Sequence, residues 1–261
     1  MTKNSGRASL EFPIDLSSSL PTGAAKEAVT VLGRRITNDV YRPGEIMPTE
    51  PELADSLNVS RATIRDAIKV LSGKGLVRTA RRYGTRVRPL EEWNLLDSDV
   101  VSWHEPDHPR IERMFAETTE LRCIIEPAAA ALAAERATEA QIAQILAGAH
   151  AMHPGEDDVQ AMFTADCLFH ATVLDATGNM MMRQMRNIIL TMLRISYEFG
   201  VLVVDGEPVS REGHIHVAEA IRDRNAAAAE QAMQTMLQYN RRTAVEYWNR
   251  AAAEGDGNKT G

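Results

Sequence analysis

The chain has 261 residues, a formal net charge of −7, 44% hydrophobic and 25% charged residues. It exceeds one average domain of about 100 to 200 residues and sits at globular averages, which argues for two domains and against a disordered, collagen-like or membrane-embedded protein. No apolar run approaches the roughly 20 residues that span a bilayer, the N-terminus lacks the apolar stretch of a secretory signal, and Cys123 and Cys167 form no CxxC pair, so a cytoplasmic protein without a disulfide framework or cysteine-only zinc site is expected.

Charge is divided unevenly along the chain. Residues 26–90 hold 13 Lys/Arg against 7 Asp/Glu, a net of +6, and the remainder carries −13. A small basic module joined to a larger acidic one suggests that the N-terminal part meets a polyanion. Residues 1–20 show no period and read as a mobile arm. From Ala24 to Val40 the apolar positions Ala28, Val31, Leu32, Ile36 and Val40 follow helical spacing, and Pro43-Gly44 ends that helix. Thr49 and Glu52 form a capping box that opens a short helix through Leu57. After the turn at Asn58-Val59, Ser60 caps a second helix over Arg61–Gly73, which buries Ile64, Ala67, Ile68 and Leu71.

Two alternating runs, Leu76–Thr79 and Thr85–Arg88, flank Ala80–Gly84 and predict a β-hairpin. Helix, helix, turn, helix and hairpin make a winged helix-turn-helix, whose second paired helix enters the major groove of double-stranded DNA. Arg61, Thr63 and Arg65 stand at the N-terminal end of that helix, where a guanidinium can pair bidentately with guanine. Arg34, Thr49, Ser60, Arg81, Arg82 and Tyr83 complete the expected DNA-facing set. The rest of the chain reads as helices at about 109–135, 138–152, 157–176, 178–203, 208–224 and 226–252, with Pro127 predicting a kink or restart. Met180, Met181, Met182 and Met185 read as adaptable core filling. The fold class expected is mainly α, with an arm over 1–20, a winged helix over 21–90, a linker over 91–107, an all-α bundle over 108–253 and a tail over 254–261.

Three stretches carry a family resemblance in the first half: Pro48-Thr49-Glu50-Pro51-Glu52-Leu53-Ala54, Val59–Ala67, and Gly75-Leu76-Val77 with Tyr83-Gly84-Thr85. They resemble the winged-helix domain of GntR-type bacterial transcription regulators. Pro51 departs from the family pattern, in which many members carry a basic residue or alanine able to approach DNA. The second half, through Glu120-Leu121-Arg122, Glu126-Pro127-Ala128 and Asp166–His170, is similar to the FCD ligand-binding domain of the FadR subfamily. Within it, Trp93–Val100 and Ala133–Thr138 resemble the branch that regulates galactonate use.

Asp166 and His170 stand four apart, so they share a helix face and can hold one ion. The resemblance implies a divalent metal, zinc or similar, on Asp166, His170 and His214. Its fourth ligand position falls on Met236, a poor partner for such an ion. His216 points away from His214, and His150 and His153 read as loop residues. The family's Glu-Leu-Arg arginine, Arg122 here, is implied to meet an effector carboxylate. Its alternative is an ion pair with Glu126, four residues on. Arg194 and Tyr197 are further pocket candidates. The expected function is a homodimeric DNA-binding repressor, not an enzyme, that reads a near-palindromic operator and is released by a small carboxylate, a galactonate-like sugar acid. Two alternatives stand beside it: a sensor of another carboxylate, acyl or short organic, and a metal-assisted enzyme built on Asp166, His170 and His214.

Overall fold

The computed structural model describes residues 10–14, 20–80, 83–105, 108–152, 159–199 and 211–257. They divide into two compact units, one within residues 15–111 and one formed by residues 112 onward together with Leu10–Ile14. Among the described residues no helix is long and apolar enough to cross a membrane.

The first unit begins with α1 (Ala24–Thr37), then α2 (Glu50–Leu57) and α3 (Arg61–Gly73), followed by β1 (Val77–Ala80) and β2 (Gly84–Val87). Local chemistry fixes the joints. The Glu52 carboxylate accepts from the Thr49 backbone N–H (2.7 Å) and hydroxyl (2.8 Å), which opens α2. Pro51 is tolerated there because the first turn of a helix has no partner for its missing N–H. Asn58 takes the left-handed conformation (φ 51°) and turns the chain into α3, where the Ser60 hydroxyl accepts from the Thr63 N–H at 3.1 Å. The strands pair antiparallel, Val77 opposite Val87 and Arg78 opposite Arg86.

Of the linker expected over 91–107, the described residues 91–105 belong to this unit. A 3-10 turn at Leu90–Glu92 leads to α4 (Ser98–Ser102), and Trp93, Val100 and Trp103 join Leu32, Ile36, Ile64 and Leu71 in one core. Trp93 Nε1 donates to the Arg88 carbonyl at 2.9 Å, and Asn38 Nδ2 to the Trp103 carbonyl at 2.9 Å. Lys74 is buried, with its Nζ 2.7 Å from both Asp97 and Asp99. The physical reason is that the two indoles, Trp93 and Trp103, bury large apolar areas in the winged-helix core and so tie this stretch to it. Gly33 is the contact point: a Cβ there would lie 2.3 Å from the Trp103 ring.

The second unit is all-α. Its helices are α5 (Pro109–Arg136, whose first turn precedes the division), α6 (Glu139–Ala151), α7 (Val159–Ala176), α8 (Met180–Gln184), α9 (Arg186–Phe199), α10 (Arg211–Arg222) and α11 (Ala226–Gly257). α6 packs on α7 and α10, α7 on α9, and α10 on α11. Two sequence expectations are refined here. Of the kink or restart expected at Pro127 the restart is absent, and α5 runs on through the proline, with the alanines that follow, Ala129, Ala130, Ala133 and Ala134, completely buried and holding the helix by packing. The helix expected over 178–203 is broken at Met185, and Asn179 caps the short α8 by accepting from the Met181 and Met182 N–H groups. Met180 and Met181 are therefore surface residues, 75% and 67% exposed, and not core filling. Residues 200–203 lie outside the described set.

Candidate functional site

α3 turns Ile64, Ala67, Ile68 and Leu71 inward and leaves Arg61, Arg65 and Lys69 on the opposite, exposed face. This is the basic face expected of a recognition helix. Arg65 is held by Glu50 of α2 at 3.1 Å, and Thr63 shares its hydroxyl with Ser60 at 2.9 Å. Thr49 and Ser60 thus serve as helix caps. Arg34 is exposed on α1. The hairpin carries Arg78 and Arg86 side by side, and Tyr83 beside it is 75% exposed. Gly84 next to it has φ 77°, a conformation that L side chains rarely adopt. Arg81 and Arg82 lie outside the described residues.

A second constellation lies inside the helical unit. Arg122 and Glu126 come from α5, Asp166 and His170 from α7, Tyr197 from α9 and His214 from α10, and all six side chains are buried. Such polar groups persist in a core only by pairing with one another or with a ligand. Arg122 Nε donates to Glu126 Oε1 at 2.5 Å, so the ion pair weighed as the alternative for this arginine is the one present. Glu126 Oε2 lies 2.5 Å from His170 Nδ1. His170 Nε2 faces Asp166 Oδ1 at 3.2 Å and Arg122 Nη2 at 3.3 Å. His214 Nε2 faces the same Asp166 oxygen at 3.3 Å, while Tyr197 donates its hydroxyl to Asp166 Oδ2 at 3.1 Å. Phe169 packs edge-on against both imidazoles, with centroids 5.2 Å from His170 and 4.8 Å from His214.

The electrostatics follow from burial and from these neighbours. Burial opposes the charge on Glu126, but Arg122 and His170 outweigh it and bring its carboxyl down to about 2. Burial also works against Asp166, but the imidazoles of His170 and His214 facing it hold its carboxyl far below the usual carboxylate range. For His170, burial favours the neutral ring, yet the carboxylates of Glu126 and Asp166 prevail and raise it to about 9. Burial and then Asp166 push the Tyr197 hydroxyl well up, so it stays a donor. Cys167, next to Asp166 in the chain, is raised by burial and by that carboxylate, which leaves an inert thiol beside the site.

Asp166, His170 and His214 form a group able to hold a metal ion, their donor atoms all within 4.8 Å of one another. The residues fit such an ion on three counts. Two imidazoles and a carboxylate are the donor set of zinc and similar borderline ions. Bonds of about 2.0–2.1 Å in a tetrahedral sphere put neighbouring ligands about 3.3 Å apart, and the Asp166 oxygen stands 3.2 and 3.3 Å from the two Nε2 atoms. Asp166 Oδ1 is also fully buried without a well-aligned hydrogen bond. Glu126 on the far nitrogen of His170 stands where an outer carboxylate would orient a ligating imidazole.

Of the other expected residues, Arg194 is half-buried on α9, with its guanidinium 4.9 Å over the ring of Phe12. Met236 is buried in the core. His216 is exposed beside Glu212, and His150 is exposed at the end of α6; His153 lies outside the described residues. Glu126 has a larger part than the sequence reading gave it. Its spacing from Arg122 was a legible signal, but its contact with His170 joins two helices 44 residues apart in sequence. Phe12, Gln160 and Phe163 also reach this region and gave no signal.

The profile described as bacterial regulatory proteins, gntR family, matches residues 24–87, and that of the FCD domain matches 117–239. The chain is 34% identical over 211 residues, 80% of its own length and 91% of the relative's, to the galactonate operon transcriptional repressor of Escherichia coli (strain K12). It is 31% identical over 213 residues, 79% of each chain, to the HTH-type transcriptional repressor NanR of Citrobacter rodentium (strain ICC168). The solved structure of Lar, described as controlling the expression of the Listeria monocytogenes agr system, has a TM-score of 0.60 at 19% identity over 86% of this chain and 98% of that one, a likeness of fold. Matched in both halves and along most of a relative more than 30% identical, the chain belongs to the gntR family of bacterial regulatory proteins, as a DNA-binding transcription regulator with an FCD domain and not an enzyme.

Proposed function

We propose that this regulator is a cytoplasmic homodimeric repressor, released from a near-palindromic operator when a galactonate-like aldonate binds beside a divalent metal, zinc or similar, on Asp166, His170 and His214. The observation that carries the reading is the convergence of three buried donor atoms on one point, with Glu126 and Arg122 behind His170. The similarity to a galactonate operon repressor supports the choice of acid. On the DNA side, the reading assigns Arg61, Thr63 and Arg65 to base edges, and Arg34, Thr49, Ser60, Arg81, Arg82 and Tyr83 to the backbone and the groove rim.

Charge decides how the effector is attracted. Without a metal, Arg122 and the protonated His170 balance Glu126 and Asp166, so the protein groups alone sum to zero and do not draw an anion, and His170 gives up its proton when it ligates. A bound dication would bring the site to +1, complementary to one carboxylate. As a Lewis acid it would take the carboxylate and α-hydroxyl oxygens of the acid. Arg122 spends one donor on Glu126 and keeps others of its five for the ligand. Tyr197 and Arg194 line the α9 side. This polar set suits a polyhydroxy acid better than a long acyl chain, which needs a dry apolar pocket. Ligand binding moves the operator equilibrium only by favouring one arrangement of the two winged helices over the other.

The test is a thermal melt of protein stripped with chelator and of protein reloaded with zinc, each with galactonate. At 100 times its dissociation constant the acid adds about 2.7 kcal/mol. A raised midpoint in the zinc-loaded protein alone is expected. An equal response in the stripped protein would remove the metal from the reading, and no response in either would remove galactonate.

A further inference from the structure

Residues Leu10–Ile14, part of the stretch 1–20 expected as a mobile arm, have a seat on the helical unit. Glu11 gives its backbone N–H to Gln160 Oε1 at 2.9 Å and receives the Gln160 amide on its carbonyl at 2.8 Å, a two-pronged clamp from a side chain of α7. Phe12 lies between the Phe163 ring, 5.6 Å away, and the Arg194 guanidinium. Phe163 is completely buried and meets Tyr197 edge-on at 5.5 Å. Tyr197 in turn donates to Asp166. An unbroken chain of contacts therefore runs from Phe12 through Phe163 and Tyr197 to the carboxylate on which His170 and His214 converge. Backbone hydrogen bonds and a cation over an aromatic face are specific contacts, unlike a loose apolar collapse.

We propose that residues Leu10–Ile14 are a strap that holds Tyr197 against Asp166, so that docking of the strap and occupancy of the Asp166–His170–His214 site favour one another. The proposal rests on the reading of that site as a metal and effector centre. It makes Phe12 a positioning residue that acts through Phe163 and Tyr197. Reciprocity is obligatory: if the docked strap favours a filled site, a filled site favours the docked strap by the same factor.

A glutamate-specific protease can cut the Glu11–Phe12 bond only when the strap leaves its clamp, so the rate of that cut reports the undocked population. In full-length protein, read by mass spectrometry, Gln160→Ala is expected to speed cutting about tenfold. Saturating zinc, with binding checked by calorimetry, is expected to slow it at least about fivefold in the parent. Tyr197→Phe keeps the ring against Phe163 and loses the hydroxyl on Asp166; with zinc bound, it should lose the zinc protection. Phe12→Tyr should keep the protection that Phe12→Ala loses, in proteins of equal helicity. Equal cutting of the parent and Gln160→Ala would overturn the docking. A docked strap indifferent to bound zinc would overturn the coupling alone. A parent that binds no zinc would sink both the metal assignment and the coupling.

Discussion

With one carboxylate oxygen on Arg122 and the other on His170, Glu126 fixes the ring of a candidate ligand and keeps a guanidinium in the core. Its titration has consequences for stability once the metal is stripped. Glu126 falls from 4.5 to about 2 on folding, so its contribution is present above 4.5 and is lost as the pH drops toward 2. His170 rises from 6.5 to about 9, so its contribution is complete below 6.5 and disappears as the pH rises to 9. Chelated protein should therefore melt highest between about pH 4.5 and 6.5 and several degrees lower at pH 9. Zinc-loaded protein should lose less over the same rise, because a ligating imidazole is already neutral. Melting curves at pH 6 and pH 9, with and without chelator, check the sign; a stripped protein that is more stable at pH 9 would contradict it.

Among the elements, those set by local chemistry were legible and those set by distant contacts were not. The capping box of Thr49 and Glu52, the Ser60 cap and the four-residue spacing of Asp166 and His170 act within one turn of chain, and each stands where its spacing predicted. The Glu126–His170 contact joins α5 to α7, and spacing carries no sign of that. α4 hid in a stretch without apolar period because its buried residues, Val100 and Val101, are only two and its neighbours Trp93 and Trp103 lie outside it. The break at Met185 has neither Pro nor Gly to announce it. Of these elements α4 offers the sharpest mutational test. Gly33→Ala would press a methyl group into the Trp103 ring, since the Cβ would stand 2.3 Å from it. A loss of about 1–3 kcal/mol, typical of overpacking, is expected in denaturant melts followed by tryptophan fluorescence. No loss would mean that Trp103 is not seated as described.

Taken whole, the helical unit begins before the winged helix and resumes after it, with Leu10–Ile14 on one side and Glu112 onward on the other. Trp93, Val100 and Trp103 meanwhile complete the winged-helix core. A hybrid regulator that takes another FCD domain should accordingly keep one cooperative winged-helix transition when joined at residues 111 and 112. Joined at residue 90 it should aggregate or melt without cooperativity, which calorimetry of the two full-length hybrids distinguishes. The same division bears on how such regulators can be recombined. The winged-helix unit interrupts the helical one, so a clean exchange of either needs two crossovers, and a single one would pair the N-terminal strap of one protein with the helical unit of the other.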